Sequence, residues 1–223
     1  MAAEAVNGTG ATWRIAMVGA GAIGNAVLPL LFDLPIRGLT IIDGDRVEQR
    51  NLGRQPLFAT DDVGRSKAAV LSKQAQRSMG QCDVIAHDAF LSAGNAHELL
   101  RDHDLVLEGV DDLHAKMLVD RTCLELGIPL VSGAVHGKEG QVVVLHAPGS
   151  NDTLTRADLF PGPQGPEQDG CDMRHVTLPL LQDLAERMVS LLREVLTGPS
   201  TMNGRLEVRG TMHGQWMVID PVV

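Results

Sequence analysis

Gly19-Ala20-Gly21-Ala22-Ile23-Gly24 follows the apolar run Ile15–Val18 and opens a helix-forming stretch. Glycines at that spacing make a tight turn whose backbone N–H groups can approach a phosphate. Asp43 closes the next apolar run, nineteen residues after Gly24. A carboxylate at that point accepts from ribose hydroxyls, so the two features together suggest a nucleotide. A glycine turn that only permits close packing is the plainer explanation. The pattern does not name the nucleotide, and NAD is the default.

The residues that follow argue against NAD. Asp43-Gly44-Asp45 leads into Asn51-Leu52-Gly53-Arg54-Gln55 and then Asp62-Val63-Gly64-Arg65-Ser66-Lys67. A dinucleotide enzyme has no evident need for Arg54 and Lys67 just beyond its ribose carboxylate. A triphosphate does, because its charge must be clamped while one phosphorus is attacked. Asn51 and Gln55 add neutral donors. A solvated basic helix face explains Arg54 and Lys67 equally well.

These groups need a frame, and the hydrophobic pattern supplies one. Strands are expected at Ile15–Val18, Leu39–Asp43, Asp83–Ala86, Asp104–Glu108 and Leu130–Ser132. Helices are expected at Ala22–Leu34, Asp61–Met79, Ala93–Arg101 and Asp112–Leu126. Alternation of this kind builds an α/β fold, a Rossmann-like parallel sheet with helices on both faces. Pro29 conflicts with the first helix and should kink it. After residue 134 the rhythm changes to strands at Gln141–His146, Arg205–Val208 and Gln215–Ile219, with a helix at Leu178–Leu196. The parallel half is therefore extended by C-terminal antiparallel strands. A Pro- and Gly-rich loop is expected over about 147–177, and a flexible leader over 1–12.

The 223 residues are 44% hydrophobic and 21% charged, which fits one domain over 13–223 and excludes a disordered linker. A formal charge of −9 speaks against a nucleic-acid coat. Cys82, Cys123 and Cys171 form neither a disulfide framework nor a Cys-x-x-Cys pair. No apolar run approaches membrane-spanning length. The composition suits a reduced, soluble, cytoplasmic protein. Cys82 and Cys123 read as small core residues, and His136 as structural or solvent-facing.

The chain resembles the MoeB/ThiF/HesA family of ATP-dependent adenylyltransferases, relatives of the ubiquitin-activating enzymes, from about Arg14 to Pro221. Asp43-x-Asp45, Asn51-Leu52-x-Arg54-Gln55, Asp62-Val63-Gly64 and Lys67 carry the resemblance. Val110-Asp111-Asp112, Ser132-Gly133-Ala134 and Glu139-Gly140-Gln141 follow in register. It implies ATP on Gly19, Gly21, Gly24 and Asp43, with Asp45, Asn51, Arg54, Gln55 and Lys67 around the phosphates. Asp111 matches the family's acidic residue near magnesium and the α-phosphate, with Asp112 beside it where Asn is common. An N-cap of the following helix would explain Asp111 equally.

The resemblance also implies a homodimer and a partner, a ubiquitin-like sulfur carrier ending in Gly-Gly. Its C-terminal carboxylate is adenylated for thiamine, molybdopterin or related sulfur transfer. Cys171 matches a cysteine that some members link covalently to the carrier. Its thiolate could be favoured by Arg174 or His175; an idle loop thiol is the alternative. The zinc-binding Cys-x-x-Cys pairs are absent, so no zinc is expected, and Thr153 to Phe160 stands where the first pair would be. The N-terminal arginine motif is also missing. Two rivals stand: an NAD-dependent oxidoreductase, resting on the glycines and Asp43 alone, and a non-catalytic scaffold of the same fold.

Overall fold

A computed structural model of the chain describes residues 12–148, 154–161, 175–198, 203–210 and 214–219. Five parallel strands come first: β1 (Trp13–Val18), β2 (Ile36–Ile42), β3 (Asp83–His87), β4 (Leu105–Glu108) and β5 (Leu130–His136). Three antiparallel strands extend them: β6 (Glu139–Leu145), β7 (Leu206–Arg209) and β8 (Trp216–Ile219). They form one eight-stranded sheet in the order β3-β2-β1-β4-β5-β6-β7-β8.

β1 explains why the inner strands read as unbroken apolar runs. Ile15 and Met17 pack on one face with α1 (Ala22–Val27), α2 (Lys67–Ser78) and α6 (Leu178–Thr197). Ala16 and Val18 pack on the other with α3 (Ala96–Leu100) and α4 (Leu113–Leu126). A parallel strand covered on both faces has no polar side to alternate with. The register then levels Val18 with Ile42 and with Glu108, so three strands end at the same height. The ladder runs one residue further, from Gly19 N–H to Ile42 O at 2.9 Å and Gly109 N–H to Val18 O at 3.0 Å.

Two helix boundaries depart from expectation for identifiable reasons. The first helix is α-helical only to Val27 and continues as a 3-10 turn over Leu28–Leu31. Pro29 has no N–H to give the α-type bond. The helix expected from Asp61 starts at Lys67, because Gly64 takes φ +87° and Gly64 and Arg65 pair with Val47. Ser66 then caps α2 by accepting from Ala69 N–H. The expected loop over 147–177 contains a short helix, α5 (Arg156–Leu159). Cys123 is buried in α4 and Cys82 is half-buried before β3. His136 is exposed at the β5–β6 turn. The expected leader falls almost wholly outside the described residues, as do Cys171 and Arg174. Among the described residues no helix is long and apolar enough to cross a membrane.

His103, between α3 and β4, ties the segment that leads into β4 to β2. Its Nδ1 lies 3.1 Å from Leu100 O and its Nε2 2.7 Å from Thr40 Oγ1. A neutral ring satisfies both, donating to the carbonyl and accepting from the hydroxyl. Burial is the main reason its pKa lies below the ordinary 6.5. The unfolded chain therefore takes up a proton that the folded chain refuses, and stability falls as pH drops below the unfolded value. His103→Gln is expected to flatten the stability curve below the ordinary histidine range of about pH 6.5, followed by urea midpoints. An unchanged slope would show that other groups set it.

Candidate functional site

At the carboxyl ends of β1, β2 and β4 a cleft of about 470 Å³ opens. It lies between β1 and β4, where chain direction across the sheet reverses and α/β folds take their ligands. Gly19, Gly21, Asp43, Asp45, Asn51, Arg54, Gln55, Lys67, Asp111 and Asp112 all line it. Gly24 lies beneath.

The three glycines differ in purpose. Gly19 has φ +100°, which disfavours any side chain. A Cβ on Gly24 would sit 2.3 Å from Gly19 O, so that glycine serves packing. A Cβ on Gly21 would meet nothing within 4 Å. Packing alone therefore explains Gly24 and leaves Gly21 unexplained, whereas a ligand approaching the loop accounts for it. Asn25 braces the loop from below: its Nδ2 donates to Ala20 O and Gly21 O, and its Oδ1 accepts from Leu57 N–H.

Asp43 ties the loop to β2. Its carboxylate accepts from Ala20 N–H at 2.6 Å and Asp45 N–H at 2.7 Å. Burial pushes the Asp43 carboxyl above its ordinary range, while those two N–H groups and the charge of Lys67 hold it back. Lys67 is no solvated surface cation. It is 7% exposed, and its Nζ lies 2.8 Å from Asp45 Oδ2. The backbone arranges this, since Arg46 bridges Ser66 and Lys67 N–H reaches Asp45 O at 3.0 Å. Gln55 is buried in the wall, and among the described residues its Oε1 has no partner. An acceptor left so costs stability unless a ligand donor meets it.

The acidic turn after β4 corrects one expectation. Asp112, not Asp111, caps α4, accepting from Ala115 N–H at 2.6 Å. Asp111 is exposed on the cleft wall. Among the described residues no group of three or more His, Cys, Asp or Glu is placed to hold a metal ion. A divalent cation at Asp111 would thus share its coordination with phosphate oxygens and water, as magnesium commonly does.

Sequence reasoning missed four features. Glu48 and Arg50 line the cleft as an exposed ion pair. Phe90 is 67% exposed on the same wall, its ring against the backbone of Gly44. Beneath the Asp111 turn lies a buried network around Glu108, which is 0% exposed. Its Oε1 accepts from Val110 N–H at 2.7 Å and Lys116 Nζ at 2.8 Å. Its Oε2 accepts from Ser132 Oγ and lies 3.5 Å from Arg156 Nη2. The one available signal was Lys116 on the apolar side of the α4 pattern. Removing one partner of a buried pair strands the other charge. Lys116→Met is expected to destabilise the fold by about 3 kcal/mol in urea denaturation, against under ~1 kcal/mol for a surface lysine. A loss of the surface size would remove Glu108 and Lys116 from the list of supports.

The ThiF family model matches residues 10–220. The sulfur carrier protein adenylyltransferase of Thermus thermophilus is 39% identical over 155 residues, covering 68% of this chain and 57% of that protein. The adenylyltransferase and sulfurtransferase MOCS3 of Caenorhabditis briggsae is 32% identical over 152 residues, 68% of this chain and 37% of that protein. The chain thus spans well under two thirds of either relative. Among solved structures, E. coli MccB with ATP superposes with a TM-score of 0.78 at 17% identity, covering 95% of this chain and 64% of that one. PaaA gives 0.75 at 20% identity, over 94% and 64%. The structural likenesses establish the shared fold. With the family model matching nearly the whole chain, this protein belongs to the ThiF family.

Proposed function

We propose that this chain is an ATP-dependent adenylyltransferase that activates the C-terminal carboxylate of a ubiquitin-like sulfur carrier protein. One observation carries the reading. Lys67, buried and held by Asp45, shares a cleft with Arg54 and with a glycine loop whose Gly21 is left open. An oxidoreductase has no use for those cations beside its ribose carboxylate. Two relatives named adenylyltransferases support the same class.

Each residue then has a task. Asp43 accepts from the ribose hydroxyls. The first turn of α1 offers N–H groups without intrahelical acceptors. Phe90 gives the base a flat apolar wall, and Gln55 meets a ligand donor with its unpartnered oxygen. Arg54 and Lys67 stabilise charge that builds on the phosphates, with Asn51 beside them. Asp111 would hold magnesium, which supplies charge neutralisation to the phosphate oxygens. A carrier carboxylate oxygen forms a bond to the α-phosphorus as the bond to the β-phosphate oxygen breaks. Pyrophosphate leaves with that electron pair, and an acyl-adenylate remains for a sulfur nucleophile. Cys171 acts after this step, by displacing AMP from the acyl group. A single domain over 13–223, a homodimer and a cytoplasmic setting go with the reading through family resemblance.

The test is isotope exchange between pyrophosphate and ATP, with magnesium and a panel of small proteins ending in Gly-Gly. Exchange dependent on one of them supports the reading, and none with any of them counts against the carrier. Arg54→Ala or Lys67→Ala should lower exchange about a hundredfold, roughly 3 kcal/mol of transition-state stabilisation. Cys171→Ala should leave exchange unchanged, and its loss would show that the thiol belongs to the adenylation step instead.

A further inference from the structure

We propose that Arg50 is a further catalytic residue of this site, gripping the terminal phosphates of ATP and following them as pyrophosphate leaves. The inference rests on the adenylyltransferase reading and adds a contact to the leaving group.

Residues 48–55 wind through successive tight turns. Asn51 N–H bonds Glu48 O at 2.9 Å, Leu52 N–H bonds Gln49 O at 3.4 Å, and Gln55 N–H bonds Asn51 O at 3.0 Å. The segment carries both Arg50 and Arg54 on the cleft wall.

Exposure ranks the cations by depth. Lys67 is in the floor, with 9% of its side chain exposed, and Arg50 is at the rim, with 80%. A nucleotide whose ribose lies on Asp43 at the sheet edge has its terminal phosphates as its most charged and outermost part. The rim is where an added cation meets them.

Arg50 is also held in a way that lets it transfer. Its Nε and Nη2 both bond the Glu48 carboxylate, and that pair is exposed on both sides. An exposed ion pair contributes little in water. A phosphate offers the guanidinium the same forked contact with greater charge, so it displaces the carboxylate. The cleft is lined by five carboxylates, Asp43, Asp45, Glu48, Asp111 and Asp112, and by three cations. Lys67 already answers Asp45. Arg50 is therefore a cation this cleft can commit to a polyphosphate at small cost.

The experiment is a binding series on the full chain with AMP, magnesium-ATP and magnesium pyrophosphate, by calorimetry. Arg50→Ala should weaken ATP and pyrophosphate about tenfold and leave AMP unchanged. Arg50→Lys should recover part of the loss, because charge returns without the fork. Equal ATP affinity in wild type and Arg50→Ala would reduce Arg50 to a surface partner of Glu48 and overturn the proposal. An equal loss for AMP and ATP would overturn it too, by making Arg50 a support of the turn. Wild type that binds AMP but gains nothing from added phosphates refutes the Arg50 role alone. Wild type that binds no adenine nucleotide removes the reading beneath it as well.

Discussion

A single carboxylate, Glu108, decides how the sheet ends at the cleft. It is fully buried at the last position of β4, where its oxygens must find hydrogen-bond partners within the fold. The partners come from four directions: Val110 on its own turn, Lys116 on α4, Ser132 on β5 and Arg156 on α5. Lys116 Nζ also donates to Gly133 O at 3.0 Å, which ties α4 to the neighbouring strand. Arg156 is fixed in turn by its backbone N–H to Asp120 Oδ2, and Asp120 also meets His146. Any other course of residues 109–111 would break a bond to a buried charge. Asp111 stands on the cleft wall because Glu108 is anchored three residues earlier.

From that anchor the two walls of the cleft lock together. Gly109 passes so close to α1 that a Cβ on it would lie 2.7 Å from Ile23 Cγ2. A Cβ on Gly19 would in turn lie 3.1 Å from the Gly109 carbonyl carbon. The loops after β1 and β4 thus meet backbone to backbone, and glycine is what permits the approach. Asn25 extends the contact to the 57 segment, and Asp43 extends it to β2. A cradle built this way is organised before a ligand arrives, which is what stabilisation of a charged transition state needs.

Most of the parallel half was legible because its strands are covered on both faces and so stand out as apolar runs. The glycine loop was legible because its spacing answers a backbone requirement. Helix starts were less so: Asp61 begins no helix, since Gly64 and Arg65 are taken by Val47, a pairing between segments that no local pattern announces. The cap lay one residue off for a similar reason: a helix expected from Asp112 puts Asp111 at the N-cap, and either aspartate is acceptable there. The Glu108 network had a single sequence signal, Lys116 on the apolar side of α4. A charge at a strand end is usually solvated, and only the arrival of Lys116 and Arg156 from distant positions makes this one a core residue. Arg50 and Phe90 belong to none of the motifs read from the sequence, and only the fold places them on a cleft.

The charge balance of the cleft bears on what can enter it. Five lining carboxylates against three cations leave a negative excess, so a bare polyphosphate would be repelled. Of the carboxylates, Asp43 is engaged by two backbone N–H groups, Asp45 by Lys67 and Asp112 by the start of α4. Asp111 is the acid whose exposure leaves it best placed to meet a cation carried in with the nucleotide. The pairing of Lys67 with Asp45 has a second effect. It holds the buried Lys67 Nζ in place before the phosphates arrive, so that little reorganisation is left for the reaction itself. The acidic excess disfavours a naked anion while the buried lysine attracts phosphate, so a phosphate chain that brings its own counter-charge suits both.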